Sequence, residues 1–289
     1  MDVLPQLIAN SLIAGSLYAL VAMSFNLIYG VSKAFNLAHG ALGAIAAYTV
    51  FFLASQNGIS LPLAVLAGVA VAAGVGFLLE RGIFRPLRKK KASTLVLLIA
   101  SLGAYTALEA LIAILFTSQF QTIANLLTVE PVFTALGASF SAVQALLFFT
   151  ALLILVFLWA TLSLTHFGKA VRAIADDEEV AKIVGIDTDK IIGAVFILGS
   201  ALMGIAGMLA GFDTGLEPRM GFLLILEGAI ASIVGGMGNV YGGFLGAFLL
   251  GFAENFGVWF LPGQWKYAIA FGVLIIFLLF RPQGFFGKK

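Results

Sequence analysis

The chain has 289 residues, of which 61% are hydrophobic and only 10% charged, and its mean hydropathy is +1.09. Soluble proteins carry about 25% charged residues, so a soluble domain is excluded. The absence of cysteine excludes disulfides and thiolate metal sites. The two histidines, His39 and His166, have no second ligand at useful spacing, so we expect no metal. The net charge of +2 gives no indication of a nucleic-acid partner.

Long apolar runs recur along the whole chain. Each of the longer ones could cross the hydrocarbon core as a helix, and they lack the alternation of a membrane β-barrel. The sequence therefore predicts an all-α polytopic membrane protein with eight or nine transmembrane helices, the first of them a retained span because no basic signal-peptide region precedes it. The predicted segments are 5–29, 40–54, 60–82, 93–117, 141–163, 191–212, 221–235, 243–257 and 265–281.

The distribution of positive charge predicts the orientation. Residues 81–91 hold six of the sixteen Lys and Arg residues, and segment 164–190 and the C-terminal tail hold most of the others. Residues 118–140 contain none. Since cytoplasmic loops are rich in Lys and Arg, we expect an N-out, C-in protein of the inner (plasma) membrane, with 164–190 as a cytoplasmic loop.

Two predicted segments, 40–54 and 221–257, are short or broken by glycine. Irregular backbone at membrane depth occurs where it is buried in protein or lines a watery cavity, so these segments favour a translocation pathway. Glycines also allow two helices to pack closely. The sequence leaves both interpretations open.

Residues 168–190 carry ten charges between two apolar runs. Asp176 is a good N-cap, and the three acidic residues after it suit the first turn of a helix, while Gly185 stands where a helix typically ends. The pattern predicts a helix of about two turns with an apolar stripe. Such a helix is too short to be stable alone in water, so it must dock on this protein's own surface or on a soluble partner. Its central residues are Asp177, Glu178, Glu179, Val180, Ala181, Ile183 and Val184.

Three carboxylates, Glu109, Glu227 and Glu254, lie within or beside apolar segments. A charged residue in the membrane is a candidate for function because its insertion is costly. These acids could face a passage and meet the ammonium of an amino acid, or each could pair with a Ser, Thr or Asn across a helix interface. Two hypotheses also apply to His39. It could contact a ligand or relay a proton, or it could cap the end of a helix.

Four stretches together resemble the LivH-type permease family of branched-chain amino acid ABC transporters, which are inner-membrane components of binding-protein-dependent importers. They follow the order of the family and are spread over the whole chain. The stretches are GSLYALVAMSFNLIYGVSKAFNLAHGALGAIAAY (15–48), GKAVRAIADDEEVAKIVGID (168–187), GGMGNVYGGFLGAFLLGFAEN (235–255) and RPQGFFG (281–287).

The resemblance implies one permease domain over 1–289 that pairs with a second, related permease, binds two cytoplasmic ATPases and receives substrate from an extracytoplasmic binding protein. The chain lacks a phosphate-binding loop, so the resemblance implies a transporter subunit that is not an enzyme, with ATP bound by its partners. Gly168 to Gly185, including Arg172, would be the ATPase-coupling segment. The positions that match family motifs near a gate or helix turn are Asn36, His39, Gly40, Gly238, Asn239 and Tyr241.

The substrate and the energy source remain open at this point. The leading hypothesis is uptake of branched-chain amino acids or a similar small zwitterion, and permeases for urea or short amides share the same motifs. A proton-coupled secondary transporter that uses Glu109, Glu227 and Glu254 is an alternative from another class, and a passive channel is a third.

Overall fold

The computed structural model describes residues 3–123, 132–135 and 137–287, and within them the fold is almost entirely helical. Parts of the segment that was predicted to face outward, 124–131 and 136, lie outside the described residues. The helices are α1 Leu4–Ser32, α2 Ala38–Val50, α3 Leu61–Leu79, α4 Arg85–Lys89, α5 Thr94–Phe116, α6 Ala142–Leu164, α7 His166–Asp176, α8 Glu178–Ile183, α9 Thr188–Thr214, α10 Met220–Gly235, α11 Val240–Phe260 and α12 Lys266–Phe280.

Three short helical turns and one hairpin complete the described structure. A π-helical turn, Phe51–Gln56, extends α2, and another, Glu80–Phe84, joins α3 to α4. A 3-10 turn, Gly263–Trp265, precedes α12. The antiparallel strands β1 (Val132–Ala135) and β2 (Ala138–Ser141) form a small hairpin that the sequence did not predict.

Nine apolar helical segments match the nine predicted ones. Eight are long and apolar enough to cross a membrane, and the ninth, α10, has only 16 residues. Because α10 is shorter than the other eight segments, the sequence was compatible with either eight or nine membrane crossings. The prediction of an all-α polytopic fold is confirmed.

The bundle has two ends, which we name by the features that they carry. The hairpin face holds β1 and β2, and Gln6 at the start of α1 donates to the Ser139 carbonyl there at 3.0 Å. The loop face holds α7 and α8, and Lys33 beyond the end of α1 donates to the Ala175 carbonyl of α7 at 2.8 Å. Helix α1 thus spans the bundle, and nine alternating segments place the two chain ends on opposite faces.

Helix α1 lies at the centre of the fold. It packs against α9, α10 and α11, and it is the most buried of the eight long spans, whereas α12 is the least buried. The side chains of α3, α5 and α6 face outward over most of their length. An apolar outer surface is expected for helices that lipid surrounds.

Small residues allow the central helices to approach closely. Gly43 of α2 and Gly207 of α9 lie backbone to backbone, so that a Cβ added at Gly207 would overlap the Gly43 backbone. In a membrane, where lipid tails are as apolar as leucine, such close packing supplies much of the association between helices. This contact supports the packing interpretation of the glycine-rich segments, at least for α2.

We expect Gly207→Ala to destabilise the protein by about 1–3 kcal/mol, the usual cost of overpacking a tight core. The measurement is the midpoint of thermal unfolding in detergent. Gly74→Ala in α3 is the matched control, because a Cβ there would meet no atom within 4 Å. Equal midpoints for the two variants would contradict the close crossing of α2 and α9.

Candidate functional site

Two carboxylates from different helices meet at one tyrosine in the interior of the bundle. The Tyr18 hydroxyl of α1 lies 2.6 Å from Oε2 of Glu254 in α11 and 3.2 Å from Oε1 of Glu227 in α10. All three residues are buried, and Glu254 has no exposed surface. The structure therefore brings together two of the three acids that the sequence singled out.

A lysine completes this cluster from the hairpin face. Nζ of Lys266, the first residue of α12, lies 3.6 Å from Oε2 of Glu254 and 5.6 Å from the centre of the Tyr18 ring. A cation over an aromatic face is attracted by the ring electrons. The Lys266 side chain is 38% exposed, so its ammonium is partly solvated. We call Tyr18, Glu227, Glu254 and Lys266 the carboxylate cluster.

The hydrogen bonding of the carboxylate cluster is incomplete. A phenol donates only one hydrogen bond, so Tyr18 can satisfy one carboxylate as a donor, and its contact with the other is a hydrogen bond only when that carboxyl carries a proton. Oε1 of Glu254 is buried and has no hydrogen-bond partner in the part of the chain that the structure describes. The cluster can accept a further donor.

A cavity of about 420 Å³ reaches the carboxylate cluster. Its wall includes Tyr18, Glu227 and Lys266, and it extends to Asn10 and Thr214, which are exposed at the hairpin face. The volume falls within the roughly 300–1,000 Å³ of small-molecule sites. The rest of the wall is mainly aliphatic, from α1, α6 and α10, and its other polar members are Gln144, Asp213 and Tyr267.

Glu109 lies apart from the carboxylate cluster. Its Oε1 is 3.2 Å from Nε of Arg219, which directly precedes α10 and whose side chain is 84% exposed. The acid therefore has a cationic partner at the rim of the bundle rather than the Ser, Thr or Asn that we expected for a packing role.

Sequence reasoning did not single out Tyr18 or Lys266, because neither a tyrosine in an apolar segment nor a lysine near the end of one is unusual.

The NLAHG motif lies where α2 begins inside the bundle. Asn36 is 2% exposed, and its Oδ1 has no partner among the described residues. His39 does not cap the helix, and its Nε2 lies 3.0 Å from the Ser24 hydroxyl of α1. Gly40 packs against the backbone of Gly221 at the start of α10. This motif forms a helix junction in the interior of the bundle.

The second motif, around Gly238 and Asn239, forms the turn between α10 and α11 at the loop face. Gly238 has a left-handed φ of +80°, and the Asn239 side chain caps α11 by accepting from the Tyr241 and Gly242 amides at 3.1 Å. Asn26 of α1 holds this turn through the Gly238 amide and the Asn239 carbonyl, both at 2.9 Å. A second cavity, of about 580 Å³, lies beside these residues.

The charged loop contains two helices where we predicted one. Asp176 is the last residue of α7, and the N-cap of α8 is Asp177, whose Oδ1 accepts from the Glu179 and Val180 amides at 2.8 and 3.0 Å. The assignment of Asp176 as the N-cap was therefore wrong by one residue, because Asp177 has the extended backbone that a cap requires. Gly185, with φ +90°, follows α8 as predicted.

The corner between α6 and α7 fixes the loop to the bundle. Gly168 lies against the backbone of Leu162 so closely that a Cβ would overlap it. The Arg172 guanidinium donates to the Leu162 carbonyl, and the Thr165 hydroxyl caps α7 by accepting from the Gly168 amide at 3.0 Å. The structure therefore places Gly168 and Arg172 at this corner.

The apolar stripe of α8 faces solvent. Ala181 is buried, whereas Val180, Ile183 and Val184 are 54%, 83% and 69% exposed. The acidic residues Glu178 and Glu179 occupy the first turn. Three neighbouring apolar side chains of the loop face are therefore uncovered in this structure.

An ion network ties the end of the loop to the bundle. Asp189, in the first turn of α9, lies 2.7 Å from Arg85, 3.5 Å from Arg88 and 3.4 Å from Lys89, all in α4. Arg88 also pairs with the buried Glu80 at 2.7 Å. Nearby, the Lys190 ammonium beside Asp187 lowers the pKa of that carboxyl below its usual value. Networks of this kind hold a loop more firmly than isolated surface pairs do.

A family described as branched-chain amino acid transport system / permease component matches residues 7–278. The chain belongs to this family. It is 35% identical to the high-affinity branched-chain amino acid transport system permease protein BraD of Pseudomonas aeruginosa, over 98% of this chain and 95% of that one. It is 30% identical to LivH of Escherichia coli, over 96% and 94% of the two chains.

The fold also resembles a solved structure. PsaBC from Streptococcus pneumoniae in complex with Fab matches with a TM-score of 0.51 at 14% identity, covering 99% of this chain and 94% of that one. Family membership and the eight long apolar helices make the chain a multi-pass permease component of the inner membrane. The prediction of an importer subunit that is not itself an enzyme is thereby confirmed.

We expect Tyr18→Phe to destabilise the protein, because it removes the only hydroxyl that joins the two carboxylates of α10 and α11 in the described structure. Loss of a hydrogen bond to a charged group costs about 1.5–3 kcal/mol. Thermal unfolding in detergent measures the change. Tyr29→Phe is the control, since it retains the ring stacking with Phe25. A Tyr18→Phe protein as stable as the control would show that the cluster contributes nothing to folding.

Proposed function

We propose that the chain is the membrane subunit of an ABC importer for branched-chain amino acids, driven by ATP that two partner ATPases bind at the loop face. The relatives that it matches over nearly its whole length are permease proteins of high-affinity branched-chain amino acid transport systems. The partners in this proposal are a second permease, the two ATPases and an extracytoplasmic binding protein. The chain itself requires no cofactor.

The orientation in this proposal follows from the positive charges. Among the described residues, Arg219 and Lys266 are the Lys and Arg residues on the hairpin side, and the others lie toward the loop face. Because cytoplasmic loops carry the excess of Lys and Arg, the loop face is cytoplasmic. The cavity at the carboxylate cluster then opens to the outside, where a binding protein would deliver substrate.

The exposed stripe of α8 carries the proposal. A six-residue helix is stable only when it is held at both ends or docked. Here the corner at Gly168 and the ion network at Asp189 hold the flanking segments, and the stripe itself remains uncovered. The stripe supplies apolar contact for a groove on an ATPase, and the acidic first turn steers association.

Ile183→Ser tests this docking role. Burial of an isoleucine side chain contributes about 2 kcal/mol, so its loss should weaken ATPase binding about 30-fold. The measurement is the amount of ATPase that copurifies with the permease, together with ATP-driven leucine uptake in proteoliposomes. We expect both to fall while membrane insertion and thermal stability remain unchanged, because Ile183 is 83% exposed.

Lys90→Ser is the control for this experiment, since Lys90 is exposed at the same face but lies outside the loop. Uptake driven by a pH gradient without any ATPase would instead establish a secondary transporter. Wild-type levels of ATPase in the Ile183→Ser preparation would refute the docking role of α8.

A further inference from the structure

We propose that the carboxylate cluster is a binding site for the substrate zwitterion, in which the ammonium of Lys266 is exchanged for the ammonium of the amino acid. This inference rests on the proposed function and assigns the substrate a place within this chain. In the unloaded state Lys266 occupies the site as an internal cation. In the loaded state the substrate ammonium contacts Glu227 and the Tyr18 hydroxyl, and the released Lys266 ammonium meets the substrate carboxylate.

The charges are arranged as this exchange requires. The Lys266 ammonium lies 3.6 Å from Glu254, with Tyr18 between Glu254 and Glu227. The cluster thus presents a cation next to carboxylates. An α-amino acid carries a carboxylate next to an ammonium, so each charge of the ligand can meet the opposite charge of the site. Two buried carboxylates share one cation and one hydroxyl donor, and Glu227 is the one of the two that lines the cavity. An incoming ammonium supplies three more donors.

The remaining wall of the cavity suits an aliphatic side chain. Above the carboxylate cluster, α1, α6 and α10 line the space with hydrocarbon groups, whose contact favours a ligand of the same kind. A zwitterion with an aliphatic side chain matches both parts of the site, whereas a sugar has neither an ammonium group nor a hydrocarbon side chain. These apolar residues are Ile13, Ala14, Leu17, Leu147, Leu223 and Leu224.

The position of Lys266 explains why the internal cation can be displaced. Its side chain is 38% exposed and extends from the first turn of α12, whereas Glu254 is fully buried in α11. A partly solvated cation gives up less on leaving than a buried one, since it regains water at little cost. The ammonium of Lys266 therefore moves, and the two carboxylates stay.

Two variants test the exchange in the complete transporter, reconstituted with its ATPases, second permease and binding protein. In Glu227→Gln we expect leucine uptake to fall about tenfold, the effect of losing one hydrogen bond to a charged group. ATP hydrolysis stimulated by the loaded binding protein should persist, because α8 is untouched. Glu109→Gln is the matched control, since that acid pairs with Arg219 outside the cavity, and its uptake should equal the wild-type rate.

Lys266→Met provides a second readout, the direct binding of two probes to the purified transporter by calorimetry. The first probe, 3-methylbutylamine, has the ammonium and side chain of leucine without the carboxylate, and leucine itself is the second. We expect the variant to bind the amine about tenfold more tightly, because the internal competitor is gone, and to lose its preference for leucine. A general loss of folding would weaken both probes together.

The outcomes separate the two proposals. Wild-type proteoliposomes without ATP-dependent leucine uptake would refute the importer function, whatever the probes do. Normal ATP-driven uptake in wild type and in Glu227→Gln alike would overturn the exchange site alone. An unchanged ratio of amine to leucine affinity in Lys266→Met would overturn it as well.

Discussion

Within the hydrocarbon layer, water is absent, so every polar group of the chain depends on a partner from the chain itself. This constraint decides where the polar residues of the interior lie. His39 meets Ser24, Asn26 holds the Gly238 turn, and Glu254 meets Tyr18 and Lys266. Each contact joins two separate elements of the bundle, so the polar pairs fix the arrangement that the glycine crossings permit. Incomplete pairing at the carboxylate cluster, where Oε1 of Glu254 has no partner among the described residues, is then a property that function can use.

Much of the fold could be predicted because it depends on local composition. The nine apolar segments, the shortness of α10 and the end of α8 at Gly185 all follow from hydropathy or from glycine. The N-cap was displaced by one residue because Asp176 and Asp177 are equally suitable by type, and only the backbone of the α7–α8 junction selects Asp177. The β-hairpin was missed since its strands are only four residues long.

The candidate site was only partly predictable, because it depends on contacts between residues that are far apart along the chain. A carboxylate in an apolar run is visible in the sequence, and Glu227 and Glu254 were identified in this way. Their partner Tyr18 is 209 residues away from Glu227 along the chain, and no periodicity connects the two. The same limit applies to Glu109, whose separation from the cluster depends on how α5 is placed against the start of α10. Sequence patterns identify residues whose insertion into a membrane is energetically costly, whereas three-dimensional packing decides which of these residues contact each other.

Helix α9 links the two regions on which the proposed function depends. It begins at the loop face with Asp189 in the ion network, and its last turns, at Ala210 and Thr214, form part of the cavity wall. With 27 residues it is about 40 Å long, and it contacts α1, α2 and α3 on the way. Because a packed helix moves as a rigid body rather than bending gradually, α9 is the connection through which, under the proposed function, a displacement of α8 would reach the cavity. The tight glycine contact with α2 would make that displacement a movement of both helices together.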